Sequence, residues 1–288
     1  MTANTAALLT HSRRESGGLA ARAAEFGPWF HNLHLPDGTE TVPDHPLGDF
    51  PAFKWRDIAP HIPRDLTAWS ALDIGCNAGF YSLELAQRGA HVVALDVDPH
   101  FLRQARWAFE QFPFGDRIEI RQSQVYDVAR WNERFDLILF MGVFYHLRYP
   151  LLALDLVAEA TRRLLVFQTL TMPGLEVIEP PEDQDFNDRT PLAANGWPKM
   201  AFIEKKLAGD PTNWWAPNHA AVEAMLRSSG LRTIARPGHE MYICEPANSA
   251  GARAARIWDE EELLAATGRT ERSPSATGPP AVRPHPPP

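Results

Sequence analysis

Cysteine is nearly missing from this chain of 288 residues: Cys76 and Cys244 stand alone, which supports neither a disulfide framework nor a cysteine-rich zinc site. Long apolar runs are missing too. The longest, Phe135 to Leu147, falls short of the roughly 20 residues that cross a bilayer, and the start MTANTAALLTHSRRES carries no signal-peptide apolar region. No membrane partner is expected, and the cytoplasm is the expected location. There is no excess of positive charge: a net charge of −8 gives no long-range attraction for phosphate backbones, although a local basic face leaves nucleic acid open. No internal repeat and no cluster of residues at metal-ligand spacing occurs, so no metal is expected.

Apolar residues make up 44% and charged residues 22%, an ordinary globular balance. Proline, at 26, is high, but seven of the last sixteen residues are Pro, so the excess describes a tail more than a core. The length fits one α/β core with additions. Residues 1–25 show no sustained period and read as a mobile or loosely helical arm. Residues 26–69 are crowded with Pro, Trp, Phe and His, which suits an irregular aromatic cap laid against a core.

From there to residue 245 the texture is that of a single domain. ALDIG, VVALDV, IEIRQ, FDLILFM and LLVFQTL are short apolar runs separated by helical candidates at 79–88, 99–111 and 150–162, the pattern of parallel βαβ units. Residues 171–213 break that rhythm with prolines and EPPEDQDFNDR, and are too long for a simple crossover; such insertions often serve as lids or binding elements. Its tryptophans, Trp197, Trp214 and Trp215, suit either burial of a lid or contact with an aromatic acceptor. Asn218 is placed to cap a helix that Gly230 ends, and two strands near 231–236 and 240–245 follow as a hairpin. Residues 246–288 read as a largely disordered tail, with one amphipathic piece, IWDEEELLAA, that can be helical.

The strongest chemical signal is D-I-G-C-N-A-G, with Asp73, Gly75, Asn77 and Gly79 where the first buried strand turns into a helix. Glycine there lets the backbone approach a ligand closely, and the helix start supplies unpaired N–H groups; the bland alternative is a tight strand–helix turn. At Asp96 the second strand ends in a carboxylate, where such sheets hold ribose hydroxyls, while Asp98 serves better as the cap of the next helix. Asn77 and Phe80 occupy places that a G-x-G-x-x-G would fill with glycine, so a pyrophosphate is poorly served. Gln124, Val125 and Tyr126 follow the third strand and would flank an adenine, or else Val125 and Tyr126 are simply core. Met141 closes the fourth strand, and Tyr145 and His146 emerge beyond it. A phenol there can orient an acceptor and an imidazole can take its proton, or the histidine merely satisfies backbone carbonyls. Lys54, beside Trp55 in the cap, is either a solvated cation or one that meets an anionic group.

Taken together, GPWF, FKWRDIAPHI, LDIGCNAGFYSLELAQRGA, LDVDPHFLRQARWA and above all FMGVFYHLRYPLLAL resemble the tRNA wobble-uridine (5-hydroxyuridine) carboxymethyltransferases and the related tRNA wobble-uridine methyltransferases, over roughly Gly27 to Cys244. The resemblance implies a Rossmann-like class I methyltransferase sheet, α/β and mostly parallel with an antiparallel last strand, carrying the N-terminal cap and the insertion. It implies that Gly75, Asp96, Met141 and Tyr145 line an adenosyl pocket and that Lys54 contacts the donor. Two departures stand out. Where those enzymes place a lysine before the Gly-Pro of the cap, this chain has Phe26, and their late arginine has no counterpart in HEMYICE, residues 239–245. An extra carboxylate would therefore lack cations, which favours ordinary S-adenosylmethionine over carboxy-S-adenosylmethionine. The expected reaction is methyl transfer to an oxygen or nitrogen of a small metabolite or glycan. The tRNA wobble uridine is the alternative, and a non-catalytic cofactor-binding protein a third reading.

Overall fold

The computed structural model describes residues 18–247 and 260–270. The remainder of the arm and most of the tail lie outside those residues. Seven strands form one sheet in the order β3-β2-β1-β4-β5-β9-β8. Strands β1 (Ser70–Ile74), β2 (His91–Asp96), β3 (Ile118–Gln122), β4 (Phe135–Met141) and β5 (Thr161–Gln168) run parallel. Strand β9 (Met241–Pro246) returns antiparallel beside β5 and pairs with β8 (Leu231–Gly238). The expected hairpin is present, with its turn at His239 and Glu240.

The apolar runs are continuous because the sheet is covered on both faces. Ala71, Leu137, Leu139, Val166 and Ile243 point to one layer, with α3 (Phe80–Gln87) and α4 (Pro99–Phe109) packed on it. Their neighbours Leu72, Ile138, Phe140, Leu165 and Tyr242 point to the other, against α6 (Pro150–Ala160) and α7 (His219–Ser228), with the short α5 (Val128–Trp131) at its margin. Each fully buried aromatic of the second layer, such as Phe140 or Phe167, contributes about 1.5–3 kcal/mol by leaving water. Helix starts follow local chemistry: Asp98 accepts from the His100 amide and Asn218 from the Ala221 amide, so both expected caps operate.

The cap is more regular than its composition suggests. Residues 50–58 form α2 (Phe50–Ile58) because Phe50, Pro51, Trp55 and Ile58 share a buried side, with proline in the first turn where its missing N–H costs nothing. The arm ends in a helix, α1 (Gly18–Glu25), anchored where the Trp29 indole donates to the Ala23 carbonyl at 2.7 Å. Within the insertion, β6 (Met200–Phe202) pairs antiparallel with β7 (Trp215–Pro217), two residues beyond the bound drawn from sequence, to form a small ribbon. In the tail, α8 (Glu260–Thr267) buries Leu263 against Ala129 and Leu156, and Arg269 pairs with Glu159 at 2.8 Å.

Candidate active site

Strand order reverses between β1 and β4, and in open parallel sheets ligands sit outside the carboxyl ends at such a switch. The two loops that leave this switch touch. A Cβ on Gly75, whose φ is +71°, would lie 2.3 Å from Val143 Cγ2, and one on Gly79, at φ +89°, would lie 2.3 Å from the Phe109 ring. Protein side chains thus occupy the side-chain direction at both glycines, which suits the tight-turn alternative. At Gly142, φ +71°, an added Cβ would meet only Gln168 Oε1 and the Tyr145 hydroxyl, at 3.8 and 3.9 Å. Of these three glycines, it alone has a Cβ position with no protein atom in close contact.

Asp73 is fully buried and accepts from the Ser82 hydroxyl at 2.7 Å, so its carboxylate answers the first turn of α3. Burial pushes it up to about 7. Asp96 accepts from the Asn77 amide at 2.9 Å and the Asp98 amide at 2.9 Å, which fixes its carboxylate at the end of β2; burial raises its pKa against those bonds. Asn77, at φ +52°, turns its side-chain oxygen to the Ala78 amide. The N–H groups of Gly75 and Cys76 both bond the Leu95 carbonyl, so the glycine turn is tied to β2. Beyond β3, Val125 is core, the Tyr126 hydroxyl accepts from the Tyr149 amide, and the backbone N–H of Gln124 donates to Asp127. Val125 thus lies in the core and Tyr126 packs half-buried against it, whereas Gln124 is exposed.

At the ends of β4 and β5 the polar groups gather. Lys54 Nζ lies 3.5 Å from Gln168 Oε1, and Gln168 Nε2 donates to Glu240, which also accepts from the Thr171 amide. Burial lowers the Lys54 ammonium, with Glu240 acting in the opposite direction. Burial, reinforced by Glu240 and Asp210, pushes the Tyr145 phenol up to about 12, so it keeps its proton at neutral pH. His146 is held by the insertion: its Nδ1 lies 2.9 Å from Thr212 Oγ1, whose hydroxyl is 2.7 Å from Asp210 Oδ1. A carboxylate only accepts, so the Thr212 hydroxyl donates to Asp210 and its oxygen accepts from His146 Nδ1–H, leaving Nε2 as the basic nitrogen. Burial lowers the imidazole pKa against the pull of Asp210. The Trp214 amide donates to the Tyr145 carbonyl at 2.8 Å and the Trp215 indole to the Leu147 carbonyl at 3.0 Å, which docks the ribbon on the same turn.

Gln168, Glu240, Asp210, Thr212 and Gly142 were not singled out from sequence. Gln168 carried a signal, as the polar end of an apolar strand; Asp210 and Thr212 carried none, since only folding brings them to His146.

Residues 71–165, which run from β1 into β5, match the family described as "Methyltransferase domain". That segment is a methyltransferase domain, and the sheet around it has the class I methyltransferase fold. Its curated relatives include a tRNA U34 carboxymethyltransferase of Pseudomonas putida (strain W619), 29% identical over 198 residues, or 63% of this chain and 51% of that protein. A ubiquinone biosynthesis O-methyltransferase of Cereibacter sphaeroides (strain ATCC 17025 / ATH 2.4.3) is 37% identical over 123 residues, covering 40% of this chain and 49% of that one. The chain thus spans about half the length of the curated relatives it matches. Among solved structures, the N-terminal domain of EvdMO1, crystallised in the presence of SAH and D-fucose, aligns with a TM-score of 0.55 at 22% identity, over 82% of this chain and 97% of that one. No helix among the described residues is long and apolar enough to cross a membrane.

Proposed function

We propose that the domain transfers a methyl group from S-adenosylmethionine to a hydroxyl of a small metabolite or glycan. One observation carries the reading: the His146–Thr212–Asp210 chain, which leaves a neutral imidazole with a free basic nitrogen beside a protonated phenol. Bound S-adenosylmethionine would supply an electrophilic sulfonium methyl. The residues present fit it: Asp96 has carboxylate lone pairs left for ribose hydroxyls after its two backbone bonds, and the bare Gly142 gives room at the carboxyl edge. His146 Nε2 takes the acceptor's proton, Tyr145 donates a hydrogen bond to orient it, and the cap and ribbon exclude water, so that most of the rate comes from positioning.

Ordinary S-adenosylmethionine is the preferred donor, because Glu240 stands near Lys54 and would repel a further carboxylate brought there. Like charges in one half-buried site are costly. A second reading, the tRNA wobble uridine, draws support from the relatives and from Arg148, whose guanidinium lies 5.5 Å from the Phe202 ring and 5.2 Å from Trp214. Incubation with methyl-labelled S-adenosylmethionine against total tRNA and a metabolite extract separates them. Label in the extract supports the first reading, label in tRNA the second, and label in neither refutes both.

A further inference from the structure

His31 in the cap is 6% exposed, and its Nδ1 is fully buried with no hydrogen-bond partner. Burial of an unpaired ring nitrogen is unfavourable, and the apolar residue types around it would pack as well against a phenylalanine. Its surroundings lead to the donor side of the site. The ring lies 5.9 Å from that of Tyr81, the second residue of the helix that leaves the glycine turn, and 5.6 Å from that of Phe50. Lys54 Nζ lies 5.6 Å from the same Phe50 ring and reaches Gln168 at the end of β5. The imidazole and the half-buried ammonium are thus both neighbours of the Phe50 ring, between the glycine turn and the carboxyl ends of the central strands.

Resting on the methyl-donor reading above, we propose that His31 is a donor-binding residue that, with Lys54, holds the amino-acid end of the donor. A carboxylate is the group that fits both: an ammonium attracts it, and an imidazole N–H donates to it without bringing a second charge. Burial, Lys54 and His45 together lower the His31 pKa to about 3, so the ring is neutral in the unliganded protein. The unsatisfied nitrogen is then a cost of the unliganded protein that binding removes, and stability and affinity should respond to its loss in opposite directions.

The test uses the full chain with His31→Phe, which keeps the ring volume without nitrogen, and His31→Gln, which keeps an N–H donor. Calorimetry would measure binding of S-adenosylhomocysteine and of 5′-methylthioadenosine, which lacks the amino-acid end; urea unfolding would measure stability without ligand. The expected result is at least a tenfold loss of S-adenosylhomocysteine affinity in His31→Phe, partial recovery in His31→Gln, unchanged methylthioadenosine affinity, and an unfolding midpoint at or above wild type. Equal S-adenosylhomocysteine affinity in wild type and His31→Phe overturns the proposal, as does an equal loss for both nucleosides or a fall in stability with no recovery in His31→Gln. If the wild-type chain binds neither nucleoside, the donor reading itself fails, and this inference with it.

Discussion

Substituting Gly75 and Gly142 by alanine separates two reasons for a bare backbone at one sheet edge. Both residues have φ +71°, so alanine at either incurs the left-handed backbone strain of about 1–2 kcal/mol. At Gly75 the new Cβ also falls 2.3 Å from Val143 Cγ2, a stiff β-branched side chain, and overpacking of that kind adds about 1–3 kcal/mol. Gly75→Ala should therefore destabilise by about 2–5 kcal/mol, a large part of the stability of an ordinary domain. At Gly142 the nearest atoms, at 3.8 and 3.9 Å, are ordinary contacts, so only the backbone strain applies. Urea unfolding followed by tryptophan fluorescence reads both. Val143→Ala in the Gly75→Ala background should recover the overpacking share, appearing as a favourable coupling of about 1–3 kcal/mol in a double-mutant cycle. Gly142→Ala should instead cost only that strain, about 1–2 kcal/mol, and reduce S-adenosylhomocysteine binding or turnover at least tenfold. Additive effects of the 75 and 143 substitutions, or full function in Gly142→Ala, would refute the assignment of these glycines.

Asp96→Ala should weaken S-adenosylhomocysteine binding by about 1–3 kcal/mol through loss of the ribose partner, as titration calorimetry would show. Asp210→Asn removes the influence that holds the His146 pKa up, so the acid limb of kcat/KM should move to lower pH while kcat falls; an unmoved limb would separate His146 from the proton transfer. Asp73 titrates near 7 in the folded protein against 3.8 as a free side chain, so between about pH 4 and 7 the native state binds the extra proton and stability falls as pH rises. Asp73→Asn should flatten that slope in urea unfolding series at pH 5 and pH 7.5.

The sheet was legible because each strand is covered on both faces, which forces runs such as FDLILFM to be apolar throughout, and because Asp98 and Asn218 announce helix starts with side chains that bond within three residues. The cap helix was not, since its buried side is set by a core that the local pattern of Phe50, Trp55 and Ile58 does not reveal amid so many prolines. In the site, Asp96, Tyr145 and His146 could be placed from strand ends alone. The glycine turn was located with two readings left open, because a missing side chain looks the same in sequence whether a ligand or Val143 fills its place. Glu240, Asp210 and Thr212 meet their partners only across 64 to 72 residues of chain, and separations of that kind leave no periodic trace.

His146 owes its tautomer to the segment that also carries the exposed ring of Phe202 and the indole of Trp214. Any exchange of that ribbon for one of different shape would discard the two oxygens that hold the imidazole, so a graft intended to reshape this edge must bring equivalents of Thr212 and Asp210 or arrive with a histidine free to turn over.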